Sequence, residues 1–149
     1  MDSNTPNAAL NLERWHQHVR GELPGGLDEL LHDDCVFYSP VVFTPQAGKE
    51  LTKLYLTAAG NTFSEGKAAE RPGAPGAKFR YVREVVSGND IVLEFETEMD
   101  GKYINGIDMM TFDDDGKITE FKVMVRPLQA VNLLHMKMMA MLESMKTAD

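Results

Sequence analysis

The sequence predicts an α+β fold in which helices gather on one face of a curved antiparallel sheet. Two observations carry this. From Lys78 to Pro127 apolar and polar residues alternate in four runs, "KFRYVREVVSG", "DIVLEFETEMDG", "KYINGIDMMTFDDDG" and "KITEFKVMVRP", separated by Gly- and Asp-rich turns of the kind that join consecutive hairpins. On either side of these runs the apolar spacing changes to threes and fours, which is the period of an amphipathic helix. Helices of this kind must bury a stripe, and a sheet with one apolar face supplies the surface for it.

Residues 1–7 are polar and read as a disordered tail. A first helix follows, with Ala9, Leu12, Trp15, His16 and Val19 on its stripe and Gly21 as its end. After the Gly25-Gly26 turn, Leu27, Leu30 and Leu31 define a short second helix. "CVFYSPVVF" is an apolar, aromatic strand stopped near Pro40. A third helix is expected from Gly48 to about Asn61, burying Leu51, Leu54, Tyr55 and Ala58. Residues 61–78 are rich in Gly, Pro and Ala without periodicity and read as a mobile loop. Then comes the four-strand meander. In its second strand Leu93, Phe95 and Thr97 share one face, while Glu94, Glu96 and Glu98 share the other, where they meet water or basic neighbours. Pro127 opens the last helix, which holds Met136, Met138, Met139, Met141 and Met145; sheet or subunit packing is the expected use of these methionines, with Met139 and Lys137 facing out.

With 149 residues and no composition break, the chain is expected to form one domain, 1–149. A net charge of -8 argues against nucleic acid and anionic membranes as partners. No stretch reads as a signal peptide or a membrane span, so a cytoplasmic location is expected. The single cysteine, Cys35, excludes an intrachain disulfide. No cofactor is expected, and no metal: His16 and His18 lie two apart on a helix and point away from each other, and "DDDGK" is a hairpin turn without the ligand alternation of a calcium loop.

The element order, together with "NLERWHQHV", "LLHDDCVFYSP", "GIDMMTFDDDGKITEF" and the closing "VRP", resembles the nuclear transport factor 2-like superfamily, most closely its SnoaL-like and ketosteroid isomerase-like members, over roughly residues 10–134. The resemblance implies a cone: a cystatin-like curved sheet whose helices enclose an apolar cavity open at one end, often dimerised through the sheet's outer face. Such proteins include isomerases, dehydratases, polyketide cyclases, epoxide hydrolases and non-enzymatic binding proteins, so fold alone names no reaction. In the isomerase pattern a Tyr and a protonated Asp form an oxyanion hole beside an Asp base. Asp108 matches the protonated acid, whereas the tyrosine position falls on Trp15 and the base position on Ser39.

Asp108 is thus the candidate acid or hydrogen-bond donor, with Trp15, Phe37, Ser39, Tyr55, Phe95, Met110, Phe121 and Val123 as candidate ligand-binding residues. Alternation turns Asp108 inward with Ile104, Met110 and Phe112, where desolvation would raise its pKa. The competing account makes Asp108 a core organiser that accepts hydrogen bonds from Trp15, Tyr55 or a backbone amide. The expected partners are a small, mostly apolar cyclic molecule, steroid- or polyketide-like, and a second copy of the chain. Whether the protein is an enzyme or a binding scaffold stays open at this level.

Overall fold

A computed structural model describes residues 4–64 and 78–147. Its elements are α1 (Asn4–Val19), α2 (Gly26–Leu30), β1 (Leu31–Tyr38), β2 (Gln46–Ala47), α3 (Lys49–Ser64), β3 (Arg80–Ser87), β4 (Asp90–Met99), β5 (Lys102–Phe112), β6 (Ile118–Arg126) and α4 (Leu128–Thr147). The strands form one curved, open sheet in the order β2-β1-β6-β5-β4-β3. β3 to β6 are the expected antiparallel meander. β1 joins it alongside β6 in parallel, with Phe37 opposite Phe121.

Alternation decides which face is buried. Along β5, Ile104, Asp108, Met110 and Phe112 turn to the helices and are buried, and along β4 Ile91, Leu93, Phe95, Thr97 and Met99 do the same. The opposite face of β4 carries the expected ion pairs: Glu94 meets Arg83 at 3.3 Å and Glu96 meets Arg80 at 2.8 Å. Two apolar clusters fill the concave side. One joins Trp15, Leu30, Leu31, Phe37, Met110 and Phe121; the other joins Phe79, Phe95, Met99, Ile104, Ala130 and Leu133.

Gly106 sits at a close approach in β5, where an added Cβ would lie 2.5 Å from the Met124 carbonyl oxygen and 2.6 Å from Phe95 Cζ. Arg14 ties α1 to the β5–β6 turn by donating to the Gly116 carbonyl at 2.7 Å. Among the described residues no helix is long and apolar enough to cross a membrane.

Several boundaries differ from expectation. The first helix takes in residues 4–7 of the expected tail, and its buried face runs through Ala8, Asn11 and Trp15, not Ala9, because Trp15 sets the phase. α3 continues through Ser64 into the expected loop, of which residues 65–77 lie outside the described residues. The two-residue β2 was not anticipated; it forms because Gln46 and Ala47 pair with Phe37 and Val36 across the loop that begins at Pro40. On α4, Met136 is exposed along with Met139, while Lys137 approaches Asp100 at 3.2 Å.

Candidate functional site

Between the helices and the concave face of the sheet lies a cavity of about 450 Å³, within the range of small-molecule sites. Its walls come from every layer: Trp15 and His18 on α1, Phe37 at the end of β1, Leu56 and Phe63 on α3, Tyr81 on β3, Phe121 and Val123 on β6, and Met138 on α4. Aromatic contacts hold this wall in shape. The Trp15 ring lies 5.2 Å from Phe121 and Phe37 lies 6.1 Å from Phe121, centroid to centroid.

Asp108 faces this space from the middle of β5. Register explains its position: it lies opposite Leu93 on β4 and Val123 on β6, two apolar neighbours that leave it no charge partner within the sheet. The Tyr81 hydroxyl donates to Asp108 Oδ2 at 2.8 Å, and Trp15 Nε1 donates to the Tyr81 oxygen at 3.1 Å. The result is a directional chain, Trp15 to Tyr81 to Asp108, that ends on the carboxyl.

Burial dominates the electrostatics. With 8 % of its surface exposed, Asp108 loses more from desolvation than it regains from the Tyr81 hydrogen bond, and its pKa rises from 3.8 to about 7. Tyr81 is pushed well above the usual phenol value, first by burial and then by the neighbouring carboxylate, so it stays a donor. Near neutral pH the cavity therefore holds a carboxyl that is protonated for much of the time and can itself donate to a ligand oxygen. Ser39 is committed differently: its Oγ accepts the amides of Val41 and Val42 at 3.1 and 3.3 Å and closes the turn at the cavity rim.

Of the residues singled out in the sequence, Asp108, Trp15, Phe37, Ser39, Phe121 and Val123 line the cavity. Tyr55, Phe95 and Met110 do not. Tyr55 packs behind Phe37 at 5.6 Å. Phe95 stacks under Phe79 at 4.9 Å and is covered by it, and Met110 is wholly buried beneath the cavity floor. Phe95 and Met110 share the inward sheet face with cavity residues, but alternation specifies a face and says nothing of depth. The partner of Asp108 is also not the expected one: Tyr81, not Trp15 or Tyr55, reaches the carboxyl, with Trp15 one step behind.

Of the polar wall residues that were missed, which include Thr57 and Asn61, the titratable ones are Tyr81 and His18. Tyr81 was signalled in "KFRYVRE", where period two puts Phe79 and Tyr81 together and Arg80 opposite. His18 was signalled by its place three residues after Trp15, which stacks it on the same helix face; the rings lie 5.2 Å apart. His16, which the sequence placed on the stripe, instead meets Glu84 at 2.6 Å.

The comparisons agree with this architecture. The family model for the SnoaL-like domain matches residues 12–121. A crystal structure of a steroid delta-isomerase from Pseudomonas aeruginosa is similar at 36% identity with a TM-score of 0.79, covering 95% of each chain. An uncharacterised protein with a cystatin-like fold from Silicibacter pomeroyi is 27% identical with a TM-score of 0.71, over 87% of this chain and 83% of that one. The epoxide hydrolase/cyclase-like enzyme SalBIII, which has a role in pyran ring formation in the polyether salinomycin, shares the fold at 15% identity and a TM-score of 0.57, over 85% of this chain and 95% of its own. No curated protein matches the chain. A curved open sheet, a cavity on its concave side and a family match over most of the length lead to one assignment: the chain belongs to the SnoaL-like domain family, within the nuclear transport factor 2-like fold.

Proposed function

We propose that the chain binds a small, mostly apolar ring-shaped molecule of the steroid or polyketide type, seating a carbonyl oxygen of that molecule on Asp108. In an isomerase-, cyclase- or dehydratase-type reaction Asp108 then serves as acid or hydrogen-bond donor. The observation that carries this is a single carboxyl, titrating at about 7, set in a mostly apolar wall. A protonated carboxyl donates to a carbonyl oxygen and strengthens that bond as charge builds on the oxygen; an ionised one repels it. The likeness to a steroid delta-isomerase supports a ring-shaped ketone as the ligand class.

A specific observation favours a second reading, a non-catalytic binding protein of the same fold. Ser39 stands where the isomerase base is expected, and its oxygen is occupied by two backbone amides. We also propose that two copies pair through the outer sheet face, where Val85, Tyr103 and Met124 are exposed.

The test uses Trp15, the chain's only tryptophan, as reporter and 2-tetralone, a bicyclic ketone with no ionisation in the working range, as probe. Among the described residues that line the cavity with Asp108, the titratable ones are Tyr81 from β3 and His18 from α1. Quenching of Trp15 should saturate. The apparent Kd should be flat below about pH 6 and rise towards tenfold per pH unit above 7, because only the protonated fraction is competent. Asp108→Asn should abolish that rise. Unsaturable quenching, or the same pH profile in both proteins, overturns the proposal.

A further inference from the structure

We propose that His18 is the proton-transferring base of this cavity, taking the place that a carboxylate at position 39 would have held. The inference rests on the ligand orientation proposed above, with the carbonyl oxygen on Asp108.

Three observations converge on His18. It lines the same cavity as Asp108 but from the opposite layer, α1 against the sheet, so a molecule between them meets an acid on one side and an imidazole on the other. Its ring is held against Trp15, 5.2 Å between centroids with the planes tilted by 46°, and Trp15 is the residue whose Nε1 begins the chain to Asp108. The imidazole and the acid are therefore positioned by one shared side chain. Finally, among the described residues, three carboxylates on segments that contribute to the wall are engaged elsewhere: Glu84 on β3 with His16, and Glu29 and Asp28 on α2 with Arg14 and Lys53. Among the described residues of the cavity wall other than Asp108, His18 is the side chain whose ordinary chemistry includes accepting a proton from carbon near neutral pH.

The step balances without a further reactant. A neutral imidazole nitrogen removes a proton from the carbon next to the ligand carbonyl, so a C–H bond breaks and an N–H bond forms. The electron pair moves into a C=C bond and on to the oxygen, where the Asp108 carboxyl donates to the enolate. The imidazolium then returns a proton to the same carbon, which is exchange, or to a conjugated carbon, which is isomerisation. The step requires Asp108 to hold its proton, so the rate falls as pH rises through the Asp108 titration at about 7.

The experiment is the exchange of the 2-tetralone protons next to its carbonyl for deuterium in D2O, followed by proton NMR with the full-length protein. Wild-type protein should accelerate exchange. His18→Gln should lower kcat for exchange by about 100-fold or more, in the range set by loss of a positioned base, while the Kd from Trp15 quenching stays within about threefold. His18→Ala should regain at least tenfold with added imidazole, a recovery that a purely structural role would not show. His18→Gln exchanging within threefold of wild type, or a wild type that binds 2-tetralone without accelerating its exchange, overturns the role of His18 and leaves the pocket reading standing. Loss of saturable binding in the wild type removes both.

Discussion

Replacing Asp108 by Asn should change the pH dependence of stability more than stability itself. In the unfolded chain this carboxyl titrates near 3.8, and in the folded protein at about 7. Between those values the folded state holds a proton that the unfolded state has released, so stability falls as pH rises through the window. Well below pH 3.8 both states are protonated and Asp108 carries no penalty. Above pH 7 the full penalty is present, roughly three units at 1.36 kcal/mol each, or about 4 kcal/mol. Asn cannot ionise, yet its side-chain oxygen can still accept the Tyr81 hydroxyl. In urea denaturation the two proteins should therefore differ by a constant offset only well below pH 3.8, diverge as pH rises through the window, and reach a gain for the variant of up to about 4 kcal/mol by pH 8 to 9. For a chain of this length that is a rise in Tm of roughly 8 to 16 °C. A stability difference independent of pH from 5 to 9 would refute the reasoning, because it would mean that Asp108 is ionised and satisfied throughout.

Tyr81→Phe removes the hydrogen bond that holds the Asp108 titration down and leaves Trp15 Nε1 without its acceptor. The Asp108 carboxyl signal in carbon-13 NMR should titrate above its wild-type midpoint, and stability should fall by about 1–3 kcal/mol; an unchanged midpoint contradicts the chain. Gly106→Ala drives a methyl against the Met124 carbonyl and the Phe95 ring, and urea denaturation should show a loss of about 1–3 kcal/mol. A neutral outcome would mean that β5 can move away from β6 at this point. On the outer face, Val85→Lys should yield a monomer by light scattering at concentrations where the wild type is a dimer, and a wild-type monomer at micromolar concentration would dismiss the pairing.

The strands and helices were legible because their periods are strong and their turns carry Gly and Asp at the right places. Asp108 was legible for a related reason, being one carboxylate among Ile107, Met109 and Met110 in a strand that alternation turns inward. Two kinds of information were not accessible. Depth along the concave face depends on how far the sheet curls and which ring lies above which, so Phe95 and Met110 share a face with cavity residues and are nonetheless covered. Pairing across the sheet depends on curvature too: Tyr81 and Asp108 are on strands separated by β4, and only the bend of the sheet lets the phenol reach over it. The parallel pairing of β1 with β6 is likewise invisible to local pattern, because it joins segments more than eighty residues apart.

The energetics of Asp108 bear on which account of it is right. A residue that merely organises the core should lower the free energy of the fold, yet above neutral pH this one raises it, and the Tyr81 hydrogen bond recovers only part of the loss. The indole N–H of Trp15 needs only the phenol oxygen, whereas the Tyr81 hydroxyl would lose its acceptor without the carboxyl. What the carboxyl adds is a donor on the cavity wall, available as long as it keeps its proton, and that proton is held to about pH 7, three units beyond an ordinary aspartic acid. A buried acid that costs stability and retains its proton into the neutral range fits the proposed ligand oxygen as its partner. His18 lines the same cavity, so the proposed acid and the proposed base share one space.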